Sequence, residues 1–275
     1  MLTPAMKQLI DLALEEDLGR GDVTSYAIFS DGDQCKGQII AKEPLVAAGL
    51  EIARRVFHKV DKRCTFEPVV ADGARVLPGE PVAVVAGPTR GVLGAERTAL
   101  NFLQRLSGIA TLTAQYVEQV AGTRAVVCDT RKTAPGWRAL DKLAVRAGGG
   151  ANHRADLASG VLIKDNHVIA CGSVHAAVER ARAYAPHTLR VEVEVTRIDQ
   201  IEEAIAARAE VILFDNFTPE MVKEGMGIVV GRVVVEVSGG IHLDTIRAFA
   251  EAGPDRISVG ALTHSARAVD LSLEL

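Results

Sequence analysis

Six short apolar runs from Ala125 onward end in charged or small residues, and those ends carry the chemistry. They are Asp129-Thr130-Arg131-Lys132, Lys164-Asp165-Asn166-His167, Glu194, Asp215-Asn216, Ser238-Gly239-Gly240 and Gly260. Arg131, Lys132, His153, Arg154 and Lys164, if they converge, form a cationic group. Two cations about 4 Å apart repel by roughly 4 kcal/mol at an effective dielectric of about 20, so such a group calls for an anion to fill it. The implied ligand is polyanionic. Glu194 and Asp215 end adjacent apolar runs and suit ribose hydroxyls or a Mg2+ ion bridged to phosphates. Glycines in SGGI (Ser238–Ile241) and SVGALTHS (Ser258–Ser265) let backbone N–H groups approach a phosphate.

Each feature alone has a plainer reading. A charge at the end of one strand is an ordinary loop residue, turns need glycine anyway, and Gly148–Gly150 reads equally as a helix end or a pocket wall. Repetition at successive ends is what favours a shared site. Glu192 and Glu194 alternate onto one face of VEVEV, where burial demands a cationic or hydroxyl partner. His58, His175 and His187 sit in helical or loop contexts without partners and read as surface or packing residues. No nucleophile elbow, HExxH or GxxxxGK[ST] motif occurs.

The elements that must position these residues follow from periodicity. Thr3-Pro4 starts a helix that runs to about Leu18. A strand near Gly37–Ala41, a helix near Leu50–Val60 and β-branched runs at Pro68–Val70, Arg75–Leu77 and Pro81–Ala86 make a small antiparallel sheet, punctuated by Asp72-Gly73 and Pro78-Gly79. A long helix begins near Leu93, with Arg97, Asn101 and Arg105 on a polar stripe and Gly108 expected to break or bend it. Beyond it, strands are expected at Ala125–Cys128, Val161–Ile163, Arg190–Val195, Val211–Phe214, Val233–Val237 and Arg256–Val259. Helices near Ala139–Ala147, Val174–Tyr184, Ile198–Ala207, Pro219–Gly225 and Leu243–Ala252 lie between them. Alternation of this kind predicts a parallel sheet, and without a GxGxxG turn a (β/α) barrel short of eight strands fits better than a Rossmann sheet.

Composition sets the frame. The 275 residues are 48% hydrophobic and 24% charged, which excludes disorder and fibrous repeats. Cys35, Cys64, Cys128 and Cys171 are far apart and form no metal or disulfide pattern, consistent with a reducing cytoplasm. A net charge of −4 gives no nucleic-acid footprint, and neither a signal peptide nor a membrane span is expected.

ERTALNFLQRLSGIAT (Glu96–Thr111), DTRKTAPGWR (Asp129–Arg138), KLAVRAGGGANHR (Lys142–Arg154), VLIKDNH (Val161–His167), VEVEV (Val191–Val195), ILFDN (Ile212–Asn216), VEVSGGI (Val235–Ile241) and ISVGALTHS (Ile257–Ser265) resemble, in order, the quinolinate phosphoribosyltransferase family. GRGDVTS (Gly19–Ser25) resembles its amino-terminal motif. Ala134 and Trp137 depart from the expected threonine and leucine, while every charged position stands.

The resemblance implies an α/β protein with an N-terminal α+β open sandwich domain (1–107, joined by 266–275) followed by an incomplete (β/α) barrel (108–265). It also implies a Mg2+-dependent reaction of quinolinate with phosphoribosyl pyrophosphate, giving nicotinate mononucleotide, pyrophosphate and CO2. Arg131, His153, Arg154 and Lys164 are expected to hold the quinolinate carboxylates, together with Arg97 of the partner subunit in a homodimer; a higher oligomer is left open. Thr130 and Lys132 are expected near pyrophosphate, Glu194 and Asp215 at ribose and metal, and Ser238, Gly239, Gly240, Gly260, Ala261 and His264 around phosphate. Lys164, Glu194 and Asp215 are the expected catalytic groups.

Three other readings use the same residues less directly: a barrel lyase with Lys164 as Schiff-base nucleophile, a molybdenum-transport-associated paralogue, and a non-catalytic binder of a phosphorylated small molecule.

Overall fold

The computed structural model describes residues 2–275. Helix α1 (Pro4–Leu18) is capped by Thr3, whose hydroxyl accepts from the Met6 N–H, with Pro at the first helical position. Asp22 caps α2 (Val23–Ile28) in the same way. Next come β1 (Gln34–Ala41), β2 (Leu45–Val46), α3 (Leu50–Val60), β3 (Thr65–Pro68), β4 (Arg75–Val76) and β5 (Pro81–Pro88). The 31-residue α4 (Thr89–Gln119) follows and passes through Gly108 as unbroken helix. The expected break is absent because this glycine serves close packing: a Cβ there would lie 2.0 Å from the Arg267 carbonyl oxygen.

The second half alternates strand and helix: β6 (Val126–Cys128), α5 (Arg138–Ala147), β7 (Val161–Ile163), α6 (Asp165–Cys171), α7 (Val174–Tyr184), β8 (Val191–Val195), α8 (Asp199–Ala206), β9 (Val211–Asp215), α9 (Pro219–Val229), β10 (Val234–Ser238), α10 (Ile246–Glu251), β11 (Arg256–Ser258), α11 (Ala261–His264) and β12 (Leu271–Glu274). The run Pro68–Val70 is strand only at its first residue, since pairing with β5 starts at Thr65.

Two compact units result. One comprises the chain up to Ala114 with Thr133–Gly149 and Leu262–Leu275. It holds an antiparallel sheet in the order β12-β1-β5-β3, so the last strand pairs with the first. Gly148 is buried in this unit, and a Cβ there would meet the Ala110 carbonyl at 2.4 Å, so the glycine run answers to packing at that position.

The other unit, Gln115–Lys132 with Gly150–Ala261, holds six parallel strands in the order β6-β11-β10-β9-β8-β7. The sheet stays open between β6 and β7 among the described residues, as an incomplete barrel requires. Beside β6 the chain adds one parallel bridge, Cys128 to Ala151. Alternation gives this sheet two unlike faces. Val193, Ile212, Phe214, Val235, Val237 and Ile257 are fully buried on one face, each worth about 1.5–3 kcal/mol of burial. The opposite face carries Glu192, Glu194, Asp215, Glu236, Ser238, Arg256 and Ser258.

Candidate active site

Parallel strands in one sheet put all their carboxyl ends on one edge, and the strand-end residues gather there. The pairing Ile163 with Val193 makes Lys164 and Glu194 neighbours, and the Lys164 Nζ lies 3.2 Å from Glu194 Oε2. Glu194 is buried while the lysine side chain is half exposed. Helix α6 starts directly after Lys164, and His167 Nδ1 accepts the Lys164 N–H at 2.9 Å. That gives the KDNH segment a local task, holding the main chain of Lys164 at the helix entrance. Its half-exposed amine lacks the burial that activates a Schiff-base lysine, which disfavours the lyase reading.

Two strands away, Asp215 pairs in register with Ser238. The serine hydroxyl donates to Asp215 Oδ1 at 2.8 Å and the Asn216 amide donates to Oδ2 at 2.7 Å. Asn216 itself takes a positive φ of 58°, and its N–H donates to the Ser238 carbonyl at 2.9 Å. Gly239 and Gly240 follow at φ 95° and 61°, and a Cβ on Gly239 would fall 2.2 Å from Asn216 Oδ1. The loop is therefore tied to the aspartate it flanks. Gly260 and Ala261 follow the end of β11, which pairs with β10.

The cationic side is built on β6 and the bridge strand. Asp129, fully buried at the end of β6, accepts the His153 N–H at 2.8 Å and donates its own N–H to Ala151. Arg131 lies just beyond, followed by exposed Lys132, whose N–H is held by the Thr130 hydroxyl at 3.0 Å. Arg154 donates to the Gly160 carbonyl at 3.0 Å, yet its Nε is buried without a hydrogen-bond partner. Burial, and next the charge of Arg131, lowers the Arg154 pKa from the usual arginine value. The positive charge of Arg131 thus acts on that of Arg154, and an anion between like charges relieves such repulsion.

His153 faces two carboxylates, with Nε2 3.3 Å from Glu192 Oε2 and 3.4 Å from Glu236 Oε1. The Ser258 hydroxyl donates to Glu236. Burial works against a charge on His153, but the hydrogen bonds to Glu192 and Glu236 outweigh it and push its pKa up to about 9. Burial likewise raises the Glu192 pKa. Sequence reasoning placed Glu192 on this face in need of a cationic or hydroxyl partner, without saying which, and overlooked Glu236. The signal was there: in VVEVS, alternation puts Glu236 on the same face as Ser238.

Arg97 and His264 belong to the other unit. Arg97 is exposed on α4, and His264 is exposed, with Nδ1 2.7 Å from the Ser265 hydroxyl. Arg105, on the stripe with Arg97, is only half exposed: it donates to the Thr263 carbonyl, lies 3.7 Å from buried Asp141 and stacks over Trp137. Trp137, the position that departs from the family pattern, also stacks on Phe102 at 5.1 Å.

Comparison with known proteins settles the ancestry of this arrangement. Family models described as the N-terminal and C-terminal domains of quinolinate phosphoribosyl transferase match residues 22–107 and 109–274. The chain belongs to the quinolinate phosphoribosyltransferase family. It is 42% identical over 270 residues to a probable nicotinate-nucleotide pyrophosphorylase [carboxylating] of Bacillus subtilis, covering 98% of this chain and 93% of that one. The Mycobacterium leprae nicotinate-nucleotide pyrophosphorylase [carboxylating] is 43% identical, with 98% and 97% covered. The crystal structure of NadC from Streptococcus pyogenes matches with a TM-score of 0.96 at 43% identity, covering 100% of this chain and 98% of that one. The Francisella tularensis nicotinate-nucleotide pyrophosphorylase matches equally at TM-score 0.96 with 38% identity, covering 100% and 97%. In this family member no helix among the described residues is long and apolar enough to cross a membrane, and all four cysteines are free.

Proposed function

We propose that this chain transfers the phosphoribosyl group from phosphoribosyl pyrophosphate to quinolinate with loss of CO2, giving nicotinate mononucleotide and pyrophosphate, the de novo branch of NAD biosynthesis. The observation that carries the reading is Arg154, whose buried Nε has no hydrogen-bond partner and whose guanidinium feels the charge of Arg131. A dicarboxylate relieves that repulsion, and guanidinium forks bind carboxylates in bidentate fashion. Lys164 and His153 complete the quinolinate subsite, with Thr130 and Lys132 toward pyrophosphate. Ser238, Gly239, Gly240, Gly260, Ala261 and His264 form the phosphate subsite.

The pyridine nitrogen attacks the anomeric carbon as the bond to pyrophosphate breaks and its electron pair leaves with the oxygen. Glu194 and Asp215 hold the ribose hydroxyls and stabilise positive charge growing at that carbon. The ring nitrogen then carries positive charge, so the electron pair of the departing carboxylate rests on the adjacent ring carbon as CO2 leaves. That carbon takes a proton, with Lys164 as the donor. The protein's part is to orient and desolvate the carboxylate.

The carboxylates of Glu194 and Asp215 fit Mg2+: hard oxygen donors, each keeping lone pairs beyond the hydrogen bonds described, suit an ion that is otherwise held by water and substrate oxygens. When bound, Mg2+ neutralises pyrophosphate charge. The working form is a cytoplasmic homodimer in which Arg97 of the partner subunit reaches the quinolinate carboxylates. The decisive experiment measures CO2 and pyrophosphate release from quinolinate with phosphoribosyl pyrophosphate or Mg2+ omitted in turn; release that does not need quinolinate rejects the assignment.

A further inference from the structure

The His153, Glu192 and Glu236 cluster lies on the polar face of the six-stranded sheet, below the strand ends that carry Lys164 and Asp215. It borders a cavity of about 320 Å3, which Arg154, Arg190, Arg256 and Cys128 also line. One donor atom from each of the three residues falls within 4.8 Å of the others, so a divalent cation and a shared proton are the two chemistries on offer. The ring tautomer separates them. The Arg154 N–H donates to His153 Nδ1 at 2.7 Å, which makes Nδ1 an acceptor and leaves the ring hydrogen, and the extra proton that the cluster retains, on the Nε2–carboxylate side. A metal-ligating histidine does the reverse, offering the Nε2 lone pair while Nδ1–H donates outward. With hydrogen on Nε2, the two carboxylates act as its acceptors.

We propose that Glu192 and Glu236 are positioning residues of the quinolinate subsite, clamping the His153 Nε2–H between two buried carboxylates and so fixing the main chain from which Arg154 projects. The inference rests on the reading of His153 and Arg154 as quinolinate ligands. Three anchors hold this irregular segment: the His153 N–H on Asp129, the Arg154 N–H on Nδ1, and Nε2–H on the two glutamates. Asp129 is bound to β6, Glu192 to β8 and Glu236 to β10, so the ring ties three strands to one loop. Ser258 on β11 orients Glu236 in turn.

The charge count explains why two carboxylates are tolerated. Glu192 and Glu236 share the cavity wall with the cations of Arg154, Arg190 and Arg256, and burial raises the Glu192 pKa. These cations offset the negative charge that the two carboxylates place near an incoming dicarboxylate.

The test is steady-state kinetics of the full-length protein with Glu192→Gln, Glu236→Gln, Glu236→Leu and Ser258→Ala. Glu236→Leu, which removes an acceptor and leaves a buried donor unpaired, is expected to raise the KM for quinolinate about tenfold. Glu236→Gln keeps an acceptor oxygen and is expected to recover most of that loss, and Ser258→Ala to cost less than either. The KM for phosphoribosyl pyrophosphate stays within about twofold and kcat changes little, the pattern of lost ground-state binding. Glu192→Gln, which keeps an acceptor oxygen, is expected to raise the quinolinate KM less than Glu236→Leu does. An unchanged quinolinate KM in Glu236→Leu, or equal rises for both substrates, overturns the positioning role. So does one equivalent of zinc bound by the wild type and lost in Glu236→Gln. If the wild type releases no CO2 from quinolinate, it is the functional assignment that fails.

Discussion

Lys164 Nζ sits 3.2 Å from Glu194 Oε2 because β7 and β8 run parallel in register, with Ile163 opposite Val193. A cation from one strand end and a carboxylate from the next are thereby fixed as a unit at the mouth of the sheet. The pair relieves a buried Glu194, which would otherwise carry an uncompensated charge. It also sets the lysine amine between the proposed quinolinate and ribose subsites.

Lys164→Ala is expected to lower turnover about tenfold or more, since the protein then lacks both a carboxylate ligand and its proton donor. Turnover at the wild-type level excludes the role. Glu194→Gln keeps the hydrogen bond to Lys164 and loses the charge facing the anomeric carbon, so its effect is expected on kcat more than on the quinolinate KM. Single-turnover measurement of pyrophosphate and CO2 release separates the two variants.

The adjacent Gly239 and Gly240 of the proposed phosphate loop are expected to respond unequally. Both have positive φ, so alanine is strained at either position. At Gly239 a Cβ would also strike Asn216 Oδ1 at 2.2 Å, whereas the space at Gly240 is open. Gly239→Ala therefore has to displace Asn216 and, through its amide, Asp215. The KM for phosphoribosyl pyrophosphate should rise about tenfold or more in Gly239→Ala and by a smaller factor in Gly240→Ala, where backbone strain of about 1–3 kcal/mol acts alone. Equal effects would mean that the Asn216 contact does not matter.

Much of this was legible in the sequence because the period and the ends of the strands carry the information. Val161–Ile163 and Val174–Tyr184 fall where the pattern puts them, and the charged residues that end the strands share one edge because the strands are parallel. What escaped depends on contacts far apart in the chain. Gly108 has the sequence context of a helix break, and only the approach of Arg267 explains it as a packing site within continuous helix. Helix α6 spans only seven residues and opens with Asp165-Asn166-His167, too short and polar to show a period. Glu236 stands within a β-branched run, and its meaning comes from His153, 83 positions earlier by the numbering. The proton distribution of that cluster is a property of three elements at once.

Stability should fall with rising pH across the alkaline limb of neutrality. In the folded chain the His153 cluster keeps a proton up to about pH 9, because hydrogen bonds to Glu192 and Glu236 overcome the burial that opposes it. An unfolded histidine releases its proton near the ordinary value of about 6.5. The folded state therefore binds more protons than the unfolded state between these limits. Its advantage is complete below the lower limit and lost as pH rises through the upper one. Urea midpoints taken at intervals from pH 6 to 10 should decline over this window, and the decline should flatten in Glu192→Gln. A wild-type midpoint that rises or stays level there contradicts the assignment of the proton.

Subunit mixing tests the shared site. Take Arg97→Ala and Lys164→Ala, each expected to be nearly inactive as a homodimer. In a mixed dimer, the subunit carrying Arg97→Ala retains its own Lys164 and receives an intact Arg97 from its neighbour, so one of its two sites is whole. The other site holds both defects. Random reassembly of equal amounts makes half of the dimers mixed, so about one quarter of the wild-type activity should return, as expected for a symmetric two-subunit arrangement. A site complete within one chain gives no recovery at any mixing ratio, because every subunit then carries its own lesion. Recovery well above that fraction would point instead to exchange in which mixed pairs are preferred, and the fraction of mixed dimers, measured by a tag on one variant, distinguishes preference from a fault in the counting.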